Sequence, residues 1–258
     1  VDLAAVYRLT DYYGWTSVVY NHITLRIPNT DTFLINPFGL RYDEIRASNL
    51  IRLDLEGNKL DNVDMPINKA GYNIHSAIHE ARSNDLHCVM HTHEPISQTM
   101  CSINEKFIPM VQEACQLYER IGYHDFEGIV LDSSEKKRLI SAMGTKNHTL
   151  VLKNHGLLTA GPSAIWAFVR HQIYIRNSDI QLRALASGAE ISKIPEDVHL
   201  LPSKDYNMAR QFIGVHQAEF KRSDEPMVQF WVAETDFHRG EAAARCSYGA
   251  KQTDSLTL

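Results

Sequence analysis

Nothing in this chain could cross a membrane as a helix, since no run of about 18 apolar residues occurs anywhere in its 258 positions. Cysteine is scarce. Cys88, Cys101, Cys115 and Cys246 form no C-x-x-C pair and no disulfide framework, so they read as reduced thiols of a cytoplasmic protein. An excess of basic charge is missing too. Lys and Arg total 26 against 31 Asp and Glu, the signs are mixed along the chain, and the net charge of −5 argues against a nucleic-acid partner. The first residues carry Asp2, Arg8 and Asp11 and lack the apolar core of a secretory signal, which again points to the cytoplasm. There is no internal repeat and no low-complexity linker. The simplest organisation is one domain over residues 1–222. A C-terminal extension over 223–258, rich in Ala, Ser, Gly and Lys from Gly240, reads as an oligomer arm or a mobile tail.

What is present is enough apolar residue, 44%, for a single α/β core. Val1 to Tyr13 reads as a short amphipathic helix. Val18 to Arg26 alternates as a strand does, and Thr32 to Asn36 returns after the turn Asn29-Thr30-Asp31, making a hairpin. Leu50 to Leu55 is a further strand, Asn73 to Ser83 a helix, and Leu86 to Met90 a buried strand that ends at His91. Ser102 to Ile108 reads as a connector and Gln112 to Gly122 as helical. Thr149 to Lys153 is an apolar strand. Pro162 opens a long helix reaching about Ala186, with a loop and another helix between Ile194 and Lys221.

Histidine is abundant, at 13 residues, and its spacing carries the chemistry. His91 and His93 flank Thr92 at the end of a strand, where residues i and i+2 point the same way and present two imidazoles side by side. His155 follows a second apolar strand inside Asn154-His155-Gly156, where the glycine lets the backbone turn closely beside a site. Three neutral imidazoles suffice to hold a catalytic divalent ion with one position left open. Zinc fits best, and imidazole also accepts iron, manganese, cobalt or nickel. His75 and His79 share one helix face and read as a packed or solvated pair. His124, next to Asp125 and near Glu127, is a candidate acid or base. Lys69 is a candidate partner for a substrate anion.

The order of these pieces resembles the class II aldolase/adducin family. The resemblance is carried by Tyr20-Asn21-His22-Ile23-Thr24, Asn36-Pro37-Phe38-Gly39-Leu40, Ile74-His75-Ser76-Ala77-Ile78-His79, Met90-His91-Thr92-His93 and Leu152-Lys153-Asn154-His155-Gly156-Leu157, and it covers about residues 3 to 190. It implies an α/β layered fold, with a central, mostly antiparallel sheet flanked by helices, and a tetramer with active sites between subunits. It also implies that His91, His93 and His155 are the metal ligands. The sugar-phosphate aldolases of this family carry a catalytic glutamate at the position that matches Gly71. Their phosphate-holding groups match His22, Phe38 and Lys69-Ala70, and a tyrosine acid matches Glu113. Phe38 and Ala70 cannot donate to a phosphate, whereas His22 and Lys69 could bind a carboxylate. The motifs stand closer to the adducin-like branch.

These readings combine into a metal-dependent carbon–carbon lyase, of aldolase or decarboxylase type. It would act through a metal-stabilised enolate on a small hydroxy-carbonyl or carboxylate substrate, with Glu113 or His124 moving the proton and His22 and Lys69 binding substrate. The alternatives are an adducin-like binding or scaffold protein without catalysis, and an Fe(II)-dependent oxygenase on the same fold.

Overall fold

The computed structural model describes residues 1–128, 133–195 and 198. Seven strands form one sheet in the order β3-β2-β1-β4-β7-β6-β5. They are β1 (His22–Arg26), β2 (Phe33–Ile35), β3 (Ile51–Leu53), β4 (Cys88–Thr92), β5 (Ile121–His124), β6 (Thr149–Leu152) and β7 (Gly156–Gly161). Every neighbouring pair is antiparallel except β5 and β6. That parallel pair needs a crossover, which helix α4 (Ser133–Met143) supplies.

Among the described residues, five α-helices cover the two faces of the sheet. Helices α1 (Asp2–Tyr12), α3 (Pro95–Cys101) and α5 (Ala164–Ala186) lie on one side, and α2 (Lys69–Ala81) and α4 on the other. The central strands show the cause. Along β4, Cys88 and Met90 enter the core shared with α1, α3 and α5, while Val89 enters the core shared with α2 and α4. Val151 and Leu157 follow the first face, and Leu150, Leu152 and Leu158 the second. Strands buried on both faces read as continuous apolar runs rather than as alternation, which is why periodicity alone could not assign their sides. The α2 side of β4 also carries His91, so the histidine cluster lies on that face.

Several boundaries differ from the sequence expectations. The first strand begins at His22 rather than Val18, because Val18 adopts a positive φ of 46° in the preceding turn. β4 runs through His91 to Thr92, since β7 pairs with it as far as Thr92 opposite Leu157. Gln112 to Gly122 is not one helix. A 3-10 segment (Gln112–Leu117) ends before Glu119, whose φ is 54°, and the chain then enters β5. The parallel partner β6 overrides local propensity there. Helices α3 and α4 and strand β7 were not anticipated. Pro162 lies outside α5, whose N-cap is Ser163, accepting from the Trp166 amide. The expected helix before residue 221, the boundary at 222 and the extension 223–258 lie outside the described residues.

Candidate metal centre

β4 brings His91 into the middle of the sheet, opposite His22 of β1 and Leu158 of β7. The His91 ring is fully buried, and its Nδ1 donates to the Leu157 carbonyl at 2.9 Å. A neutral imidazole carries one proton, so this bond leaves His91 Nε2 as a bare lone pair. That atom stands 2.9 Å from Nε2 of His93, just beyond the strand.

His93 is fixed from behind. Its amide donates to Asn21 Oδ1 at 2.9 Å, and Asn21 Nδ2 donates to the Trp15 carbonyl at 2.7 Å. Between the two histidines, Thr92 points to the opposite face and hydrogen-bonds His171 Nε2 at 2.7 Å. The next residue, Glu94, accepts from the amides of Ile96 and Ser97 as the N-cap of α3, so its carboxylate is already committed. Sequence reasoning missed this role, although Glu94-Pro95 is a recognisable helix start.

His155 arrives on the three-residue loop of the β6–β7 hairpin. Asn154 adopts the left-handed conformation at φ 55°, which asparagine tolerates better than most residues. Gln98 Nε2 holds the His155 carbonyl at 2.9 Å. Gly156 is required by packing. A Cβ there would stand 2.6 Å from the Thr92 carbonyl oxygen and about 3 Å from ring atoms of His93 and His91. The hairpin can therefore press its loop against the two imidazoles of β4. Ring centroids are 4.8 Å apart for His91–His155 and 4.9 Å for His93–His155.

The result is a set of three donor atoms that all lie within 4.8 Å of one another, from His91, His93 and His155. All three rings are held below the ordinary histidine pKa, first by burial and, for His155 (about 4) and His91, also by the neighbouring imidazoles. They are neutral at neutral pH, as metal ligands must be. Three neutral donors, one deprived of its proton by a backbone carbonyl, fit a divalent cation. His93 and His155 are half-buried, so the cluster opens outward between the exposed rings of Tyr20, stacked beside His93, and Phe126, edge-on to His155.

The other candidate residues are distributed unevenly. His22 is buried beside His91, with ring centroids 4.9 Å apart. Burial, then His155 and His93, pushes its pKa down to about 3, so it cannot pair with a substrate carboxylate as a cation. Lys69 is exposed in the first turn of α2. His124 ends β5 and lines a cleft with His155, Glu135, Phe126 and Leu152. Its Nε2 lies 3.6 Å from Glu135 Oε1 and has no hydrogen-bond partner. Glu113 is not brought to the cluster by its own chain. It pairs loosely with Arg176 of α5, at 3.7 Å, on the other face of the sheet. Gly71 faces His22 so closely that any Cβ would stand 2.2 Å from the imidazole Nε2.

Comparison with known proteins decides the family. Residues 1–182 match the class II aldolase and adducin N-terminal domain. The chain belongs to the class II aldolase and adducin family. Within it, the chain is 41% identical over 198 residues to a Pseudomonas aeruginosa protein provisionally named a class 2 aldolase, covering 77% of this chain and 76% of that one. It is 37% identical over 220 residues to rat alpha-adducin, covering 84% of this chain but 29% of the adducin. A solved aldolase II superfamily protein from Pseudomonas syringae superimposes with a TM-score of 0.76 at 37% identity, covering 84% of this chain and 90% of that one. L-fuculose 1-phosphate aldolase from Glaciozyma antarctica shares the fold, with a TM-score of 0.72 at 24% identity, covering 93% of this chain and 88% of that one. The class II aldolase fold, with its central and mostly antiparallel sheet, is thus established for this chain. Class II aldolases are generally metal-dependent, oligomeric and directed to small molecules.

Proposed function

We propose that this class II aldolase family member is a metal-dependent lyase. It makes or breaks a carbon–carbon bond beside a carbonyl in a small hydroxy-carbonyl or carboxylate compound. The observation that carries this reading is the convergence of His91, His93 and His155 with the Nδ1 proton of His91 spent on Leu157. A divalent ion held there, zinc by donor preference, supplies a Lewis acid for negative charge developing on substrate oxygen.

The chain's own residues do the rest. His124 offers an uncommitted Nε2 beside Glu135 in the cleft next to His155, the arrangement of a group that gives or takes a proton. Lys69, exposed at the start of α2, is available to an anionic end of the substrate. Tyr20 and Phe126, 58% and 57% exposed at the rim, are large apolar surfaces that a second copy in a homotetramer would cover. A role for Glu113 requires that neighbouring copy. The unpaired, buried Cys88, Cys101 and Cys115 suit a reducing compartment such as the cytoplasm.

A second reading, an adducin-like binding protein, is favoured by the 37% identity to alpha-adducin and by the absence of any side chain at Gly71. The two are separated by assaying zinc-, manganese- and iron-loaded protein for cleavage or decarboxylation of a panel of hydroxy acids and ketoses. Turnover that is lost in His93→Ala and reduced at least tenfold in His124→Gln supports the lyase. Metal bound stoichiometrically with no turnover of any compound supports the binding protein.

A further inference from the structure

Behind the metal cluster runs a buried line of polar groups, of which the sequence reading used only His22, as a substrate-binding residue. His22 Nδ1 lies 3.0 Å from His75 Nε2, and His75 Nδ1 lies 2.8 Å from Thr24 Oγ1. Thr24 Oγ1 lies 2.7 Å from His79 Nε2, and His79 Nδ1 lies 3.3 Å from the Leu86 carbonyl. Every side chain in this line is at most 3% exposed, and none is an acid.

The direction of the protons follows from the last contact. A carbonyl oxygen only accepts, so His79 Nδ1 carries the hydrogen and His79 Nε2 is a lone pair. Thr24 has one hydroxyl hydrogen, which goes to that lone pair. Its oxygen must then accept from His75 Nδ1–H. That leaves His75 Nε2 to accept from His22 Nδ1–H. The one remaining atom is His22 Nε2, left without a hydrogen. It makes no hydrogen bond among the described residues, and it is the atom nearest to where a side chain on Gly71 would begin. Gly71 leaves that space to the imidazole, and the ring beyond it is His91.

We propose that the Leu86 carbonyl, acting through His79, Thr24 and His75, fixes His22 in its Nδ1–H tautomer. His22 Nε2 then serves as a hydrogen-bond acceptor beside the histidine cluster and takes a hydroxyl or N–H of the bound ligand. His75, Thr24 and His79 are positioning residues, and only His22 touches the ligand. The consequence is a selection by hydrogen-bond polarity. A ligand that presents a donor at this point is held, and one that presents an anion meets a lone pair. The inference rests on the metal-centre reading for its ligand, but the tautomer itself does not depend on metal or on turnover.

The test is nitrogen-15 magic-angle-spinning NMR of histidine-labelled protein, with the His22 signals identified by their loss in His22→Gln. Wild-type protein without metal should show His22 Nε2 as a pyridine-type nitrogen and Nδ1 as a protonated, pyrrole-type one. A hydrogen on Nε2 of His22, or rapid averaging of the two nitrogens, would overturn the proposal. Thr24→Val should release His22 into a mixture of tautomers, and Thr24→Ser should restore the single one. An unchanged His22 in correctly folded Thr24→Val would also overturn it. If Thr24→Val does not fold, the wild-type spectrum still decides. In zinc-loaded protein, acetohydroxamate, which keeps an N–H donor when it chelates, should shift the His22 Nε2 signal, and sulfate dianion, which has no hydrogen to donate, should not. A fixed tautomer in a protein that turns nothing over would sink the lyase and leave this inference standing. The opposite spectrum in an active lyase would do the reverse.

Discussion

Two groups of three histidines lie within one strand spacing of each other, and they are built in opposite ways. His91, His93 and His155 converge, with the Nε2 atoms of the first two 2.9 Å apart and the single proton of His91 drawn off to a carbonyl. His22, His75 and His79 are strung out, each handing a hydrogen to the next acceptor until Leu86 closes the line. In the first group the Nε2 lone pair of His91 is turned toward the other two rings, an arrangement that suits a cation. The second group is satisfied internally except at its outer atom. Imidazole count does not distinguish the two, whereas the bookkeeping of protons does. His171, between Thr92 and Thr159 on the far face, is a smaller example of the second kind.

Acid gives the largest contrast. Burial lowers the folded-state pKa of His22, His79 and His171 to about 3, against 6.5 for a free histidine. The unfolded chain therefore takes up protons that the folded chain refuses. Stability is full above pH 6.5 and declines as pH falls toward 3, by up to about 1.4 kcal/mol per pH unit for each such group. Urea unfolding at a series of pH values should show that slope. A flat profile between pH 6.5 and 4 would mean that these rings are not buried neutral as described.

Gly156→Ala comes next and strikes the convergent group alone. The added methyl meets the Thr92 carbonyl at 2.6 Å, a backbone atom that cannot swing away. A loss of about 1–3 kcal/mol is expected from such overpacking, together with at least a tenfold weaker hold on zinc, read by chelator competition. Metal affinity equal to that of the wild type would show that the hairpin does not need to approach β4 this closely.

Thr24→Val and Thr159→Val make a matched pair for the strung groups. Each removes a hydroxyl that serves two partners in a buried network, His75 and His79 in one case, His171 and the Ala167 carbonyl in the other. Each should cost about 1–3 kcal/mol in chemical denaturation, because polar groups are left unpaired. Zinc affinity should change less than threefold in both. The smallest effect is expected from Glu113→Gln. Its partner Arg176 is 3.7 Å away and the pair is partly exposed, so stability should shift by no more than about 1 kcal/mol. A large loss of turnover in an assembled oligomer would instead place Glu113 at a neighbour's site.

Much of this is legible in the sequence, and unevenly so. The i, i+2 pair His91 and His93 and the Asn154-His155-Gly156 turn mark the ligands directly, because strand geometry and turn chemistry are local rules. The hairpin of β1 and β2 and the helices α1, α2 and α5 were legible for the same reason. Strand β5 was not, since its extended form comes from a parallel partner some 28 residues later. The tautomer line was not legible either. It joins residues 22, 24, 75, 79 and 86 across a strand, a helix and the connection that follows the helix, and His75 and His79 by themselves look like any packed pair. Gly71 shows the gap between the two levels. The sequence marks a missing side chain, and only the packing shows that His22 already fills its place.

The most direct test of the convergent site is elemental analysis of the purified protein beside a His91→Ala/His93→Ala double variant, each before and after reconstitution with zinc, manganese or iron. The account requires about one equivalent of a divalent metal per chain in the wild type and none retained by the folded variant. A wild-type protein that holds no metal under any of these conditions would contradict it. So would a double variant that keeps a full equivalent.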